Sequence, residues 1–290
     1  MKHLNLFIEL TRLNKPIGYM LLFWPCAWGL TLANEFNYPL YTYSKYLIFF
    51  LLGAILMRSA GCIVNDITDK KFDKKVKRTK NRPIASGKIS TTLGLIYTFI
   101  LCFCALIVLI NFNKLTIILA LASMPLAFTY PLMKRFTYWP QLFLGITFNY
   151  GVILGWTSIS QDISLTPIIL YIGAIFWTLG YDTIYGFQDI KDDEIIGVKS
   201  TSIKFKNNPN IFLILCYSVT ILCLIFLGIN MKFDNLFYLF LLLPVYHLFF
   251  FQIRSVNIKS SSSCLKIFKS NNFLGLIILL NLLIGKLYKL

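Results

Sequence analysis

The 290-residue chain is 57% hydrophobic and only 14% charged, whereas soluble domains run roughly 45–50% apolar and about 25% charged. One water-soluble core of this size does not hide so much apolar surface, so the excess must face lipid. Lys plus Arg number 28 against 12 Asp plus Glu, a formal net charge of +16. In a soluble protein that balance would suggest nucleic acid, but with so few residues outside apolar runs it reads as membrane topology, and no nucleic-acid partner is expected.

A crossing needs roughly 20 mostly apolar residues for ~30 Å of hydrocarbon. By that ruler the chain holds nine candidate spans, at 17–34, 46–64, 92–110, 114–131, 140–158, 166–184, 210–229, 235–253 and 272–288. No stretch alternates as strands would, which excludes an outer-membrane barrel. The expected fold is therefore an all-α integral membrane protein of nine transmembrane helices, forming one domain over 1–290. If the N-terminus is cytoplasmic, 22 Lys and Arg fall on the cytoplasmic side and 5 on the other, the asymmetry that sets orientation. Seven cysteines, mostly in apolar runs and without metal-ligand spacing, read as small buried side chains. No cleavable signal peptide is read at the N-terminus.

In chain order, the first polar feature is Arg12-Leu13-Asn14-Lys15, just ahead of the first span. Arg58 follows inside the second span, and an intramembrane arginine is a functional candidate by default. Next comes Asn65-Asp66-Ile67-Thr68-Asp69-Lys70-Lys71-Phe72-Asp73. Its aspartates stand at i, i+3 and i+7, one face of a helix. A basic loop succeeds it, with Lys77, Arg78 and Arg82 as candidate phosphate donors, Arg as a planar fork and Lys as a point charge. Lys134 and Arg135 end the fourth span. Asp182, Asp189 and Asp192 or Asp193 follow the sixth, again on one face.

Eight of the twelve acids thus sit in two clusters, where like charges repel and stability alone would not place them. Oxygen ligands without imidazole or thiolate suit Mg²⁺, which keeps waters and bridges substrate phosphates. Two such faces opposed across a cavity would hold a diphosphate through metal ions. Membrane transport is the competing reading, although transporters place ionisable groups near the midplane rather than at helix ends.

Asn65-Asp66-x-x-Asp69-x-x-x-Asp73, led by Met57–Cys62 and followed by Arg78-Thr79-x-x-Arg82-Pro83, resembles the first signature of the UbiA superfamily of intramembrane prenyltransferases. Arg12–Gly18, Tyr130–Thr137, Gly197–Thr201 and Asn271-Asn272-x-x-Gly275 resemble its 4-hydroxybenzoate branch. The likeness spans nearly the whole chain. It departs at Asn14, where the branch usually has Asp, and at Gly186, where many members carry a second Asp.

The resemblance implies nine helices around a central cavity and Mg²⁺-dependent transfer of a polyprenyl group from its diphosphate to the ring carbon ortho to the hydroxyl of 4-hydroxybenzoate, in ubiquinone biosynthesis. Haem, naphthoate and homogentisate are the alternative acceptors. The expected metal ligands are Asp66, Asp69 and Asp73 in one cluster and Asp182, Asp189 and Asp193 in the other. Arg58, Asp66, Asp182 and Asp193 are the expected catalytic residues. Asn65, Lys77, Arg78 and Arg82 would bind diphosphate; Lys134 or Arg135, with Arg12 behind, would bind the acceptor's carboxylate; Tyr150 and Tyr185 would line the path of the allylic cation. The expected location is a bacterial inner (cytoplasmic) membrane, with the site toward the cytoplasm.

Overall fold

A computed structural model describes residues 2–35 and 40–288. Fifteen α-helices follow one another: α1 (Lys2–Thr11), α2 (Ile17–Ala33), α3 (Leu40–Thr68), α4 (Lys70–Asp73), α5 (Thr91–Leu109), α6 (Lys114–Thr129), α7 (Pro140–Asn149), α8 (Gly151–Ser160), α9 (Leu165–Gly186), α10 (Ile190–Ile196), α11 (Thr201–Lys204), α12 (Pro209–Met231), α13 (Asn235–Phe240), α14 (Leu242–Val245) and α15 (Ser261–Leu287). A 3₁₀ turn, Tyr130–Arg135, extends α6, and a π-helical stretch, Tyr246–Ile253, extends α14. No β-strand occurs among the described residues.

Helix starts are written in the sequence. Ser90, Asn113, Ser200 and Ser260 each accept a hydrogen bond from a backbone N–H in the first turn, which satisfies donors that would otherwise be orphaned. Pro140 and Pro209 stand at first helical positions, where their missing N–H costs nothing.

Among the described residues, eight helical segments are long and apolar enough to cross a membrane. They correspond to eight of the nine expected spans, with α7 and α8 forming one continuous crossing. The remaining candidate is α2, which at 17 residues is shorter than that length. It is also the most enclosed: from Leu21 to Ala33 all but Leu22 are buried. Glycine makes that enclosure possible. A Cβ on Gly29 would overlap the Val152 carbonyl, and one on Gly155 would overlap that of Cys26. Without a hydrophobic drive between helices in lipid, such backbone approach is what holds them together.

α5 and α6 are the opposite case. Only Gly94, Thr98 and Ala105 of α5, and Thr116 of α6, are buried. Both helices present leucine and isoleucine outward, and α5 also Phe99 and Phe103, as lipid-facing walls do. Of the cysteines, Cys26, Cys62, Cys216 and Cys264 are buried and the other three half-buried.

Candidate active site

α3 carries Asn65 and Asp66 in its last turn and stops at Thr68. Asp69 lies between α3 and the short α4, and Asp73 closes α4. The expected continuous helical face is therefore broken, yet Asp66, Asp69 and Asp73 are all buried and all line one cavity of about 860 Å³. From the facing side come Asp182 in α9, Asp189 in the turn after Gly186, and Asp193 in α10. Asp192 and Asp193 take different directions. Asp193 lines the cavity, while Asp192 accepts from the Lys77 backbone N–H at 3.3 Å.

Each carboxylate of the first cluster holds a cation from elsewhere in the chain. Arg12 donates to Asp66 Oδ1 at 2.5 Å; Arg82 bridges Asp66 at 3.1 Å and Asp73 at 2.8 Å; Lys134 pairs with Asp69. On the facing side Arg78 forks onto Asp189, with its Nε at 2.8 Å from Oδ1. Such fork geometry is the strong form of an ion pair. Arg12 holds a left-handed backbone, φ 57°, which a non-glycine residue adopts at some cost; that turn aims its guanidinium at Asp66 and at Cys62 Sγ, 3.3 Å away.

Burial pushes the Asp69 carboxyl above its ordinary range against the pull of Lys134. Burial, and then repulsion from Asp189, pushes Asp193 up to about 6. Arg12 is the converse: against the desolvation that burial brings, Cys62 and Asp66 hold its guanidinium protonated more firmly than usual.

Asp69 Oδ1 is buried with no hydrogen-bond partner. Among the described residues, no three His, Cys, Asp or Glu side chains converge closely enough to ligate one ion by themselves. An orphaned carboxylate oxygen in an all-oxygen donor set fits a hard cation held by one or two carboxylates together with waters and substrate phosphates, the habit of Mg²⁺, rather than an all-protein cage.

The other expected residues divide. Asn65, Arg58, Arg78, Arg82, Arg12, Lys134 and Tyr185 line the cavity. Lys77 does not: its side chain is exposed, and only its backbone takes part. Arg135 is also turned out of the cavity, donating to the Thr68 carbonyl at 2.9 Å and lying over Phe72. Lys134, expected for the acceptor, is occupied by Asp69. Tyr150 lines a second, apolar cavity of about 220 Å³, walled by Phe50, Gly53, Ala54, Met57, Leu109 and Phe112 among others. The two cavities share Arg58, Tyr130 and Phe148. At that junction the Arg58 guanidinium lies 5.4 Å from the centre of the Phe148 ring, where cation and aromatic face attract.

Gly186 acquires a physical reason. A Cβ there would overlap Ser202 Oγ, so a larger residue would have to displace that side chain. Ser202 in turn donates to the Thr183 carbonyl at 2.8 Å, and the Thr201 N–H donates to Gln141 at 3.0 Å, so the start of α11 braces α9 and α7. Asn14 lies exposed at the cavity rim. Residues not expected also line the cavity, notably Gln141, Tyr181, Lys199, Lys269 and Asn272.

Comparison with known proteins gives the family and the fold. The UbiA prenyltransferase family matches residues 22–277. The rat protein "4-hydroxybenzoate polyprenyltransferase, mitochondrial" is 42% identical, covering 98% of this chain and 75% of its own length. The apo structure of a UbiA homolog from Aeropyrum pernix superposes with a TM-score of 0.76 at 21% identity, over 91% of this chain and 97% of that one. A UbiA homolog from Archaeoglobus fulgidus bound to GPP and Mg²⁺ superposes with a TM-score of 0.69 at 16% identity, over 96% and 99%. At such identities the two structures support the fold alone. The relatives also correct the expected location: they carry mitochondrial names, so a bacterial inner membrane is not supported, and what stands is a multi-pass membrane protein. Counting Lys and Arg ranks the two sides of a membrane and does not say which membrane it is.

Proposed function

The chain belongs to the UbiA prenyltransferase family, and on that premise we propose how its own residues carry a polyprenyl group to 4-hydroxybenzoate. The single observation that carries the reading is the junction at Arg58, Tyr130 and Phe148, three side chains that line both a charged cavity and an apolar one. That is the shape of a polyprenyl diphosphate: a doubly anionic or more highly charged head with a hydrocarbon tail. The head lies among Asp66, Asp69, Asp73, Asp182, Asp189 and Asp193, and the first isoprene units lie past Phe148 toward Tyr150 and Phe112.

Mg²⁺ held between these carboxylates and the diphosphate would supply the positive charge that favours loss of the leaving group. The A. fulgidus homolog, bound to GPP and Mg²⁺, supports the choice of ion. Arg12, Arg78, Arg82 and Lys134 now neutralise carboxylates. With Mg²⁺ taking up those carboxylates, the same cations would be free to donate to phosphate oxygens, with Asn65 beside them. Arg58 stands where the head meets the tail, beside the C–O bond that breaks. The aromatic faces of Phe148, Tyr130 and Tyr185 wall the allylic cation and keep water from it. The ring carbon ortho to the acceptor's hydroxyl then attacks, and loss of its proton restores aromaticity.

The test is product identity from membranes containing the protein, given mixed prenyl diphosphates with 4-hydroxybenzoate, homogentisate, a naphthoate or haem. Prenylated 4-hydroxybenzoate as the dominant product is expected. Preferred prenylation of any other acceptor overturns the assignment.

A further inference from the structure

The cations that line the charged cavity are nearly all engaged. Arg12, Arg82, Lys134 and Arg78 are on carboxylates, Arg58 lies over Phe148, and Lys199 donates to the Phe136 carbonyl at 3.3 Å. Among the described residues the two remaining lining cations, Lys15 and Lys269, make no ion pair or hydrogen bond through their ammonium groups. They differ in what surrounds them. The stretch from Glu9 to Leu21 that carries Lys15 brings no aromatic ring to the cavity. Lys269 belongs to a face of α15 on which Leu265, Phe268, Lys269 and Asn272 all line the cavity, at i, i+3, i+4 and i+7.

That face is suited to a flat aromatic acid. Phe268 packs against Tyr185 with ring centres 4.4 Å apart and edge-on against Tyr181 at 5.7 Å, so one side of the space is an aromatic wall. Asn272 is oriented by chemistry that leaves no choice of flip. The Trp24 indole can only donate, and it donates to Asn272 Oδ1 at 2.9 Å. The amide NH₂ is therefore directed away from Trp24. Trp24 is itself pinned, because it is buried against Gly275, where a Cβ would overlap its ring. A fixed neutral donor, an unengaged ammonium one helical turn away and an aromatic wall match the acceptor's carboxylate and ring.

Resting on the prenyl-transfer reading above, we propose that Lys269 and Asn272 of α15, rather than Lys134 and Arg135, hold the carboxylate of the aromatic acceptor and set the preference for an acid. Lys269 is exposed at the cavity mouth, so Lys269→Met should leave folding and the diphosphate site intact. The experiment measures steady-state transfer in membranes with 4-hydroxybenzoate and with its methyl ester as acceptors. For Lys269→Met, KM for 4-hydroxybenzoate should rise roughly tenfold or more, as loss of a charge-assisted hydrogen bond predicts, with kcat and the KM for polyprenyl diphosphate unchanged. The preference for the acid over the ester should shrink, and Lys269→Arg should retain most of it. An unmoved KM for 4-hydroxybenzoate, or a rise confined to the diphosphate KM, overturns the inference alone. Failure of the unsubstituted protein to prenylate 4-hydroxybenzoate overturns the function reading and this inference with it.

Discussion

Two regions of the bundle bury polar groups, and they do so in opposite ways. Toward one side, α9, α12, the π-helical stretch and α15 enclose a neutral cluster. Tyr217 donates to Gln252 at 2.7 Å; Gln252 Nε2 contacts His247 Nδ1 at 3.2 Å and donates to Asn271 at 3.0 Å; Trp177 donates to the same Asn271 oxygen at 2.8 Å. None of these side chains lines either cavity described above, and none has a buried atom left without a partner. Across the charged cavity, by contrast, carboxylates are held by cations from distant segments, and Asp69 Oδ1 has nothing. Buried polarity alone does not mark a function. What distinguishes the second region is charge, an adjoining cavity and a group left unsatisfied, whereas the first is what a membrane helix contact needs in order to fix register.

The contrast can be broken by substitution on each side. The largest effect is expected at Asp66→Ala and Asp182→Ala, with kcat falling by roughly a thousandfold while membrane insertion and thermal stability in detergent stay close to the parent; removing a charge-stabilising group from such a site costs about that much. Activity and melting measured on the same preparation check this, and retained turnover contradicts the ligand assignment. Asn271→Leu should do the reverse. It strands Gln252 and the Trp177 indole, which costs about 1–3 kcal/mol per buried group, so the melting temperature drops while turnover per folded molecule changes by less than about threefold.

Smaller effects sharpen the same comparison. Burial sets Asp193 at about 6, so below that pH the carboxyl is protonated and offers less to a cation. Activity should fall as pH drops through about 6, and Asp193→Asn should lower the plateau and flatten that limb. Because the fold favours the protonated form, acid costs no stability through this residue. Smallest of all should be Lys77→Met, whose side chain the cavity does not include; turnover within about twofold of the parent is expected, against a much larger loss for Arg78→Met.

Much of this was legible from residue order. Eight of the nine apolar runs reappear as helices long enough to cross, all but the last close to the expected bounds, because hydrocarbon thickness sets a length that composition alone reveals. That two acidic clusters share one cavity was also legible, since stacked like charges do not arise for stability alone, but which of Asp192 and Asp193 faces it was not. What distant segments do was not. Nothing local says that Arg12 reaches Asp66 or that Lys134 reaches Asp69, partners 54 and 65 residues apart. Nor does spacing tell Arg78 from Lys77, because loop dihedrals decide which of two neighbours faces inward. The acceptor face of α15 was missed for a plainer reason. The apolar ruler began that span at 272, whereas the helix begins at Ser261, and the cavity is lined from the polar turns in between.

If the two aspartate clusters work through a divalent cation on a diphosphate, turnover depends on that ion. That dependence is tested most directly by measuring prenylated 4-hydroxybenzoate formed in isolated membranes with Mg²⁺, after EDTA, and after Mg²⁺ is restored. Product, then near-complete loss, then recovery is expected. Undiminished product in EDTA would contradict it.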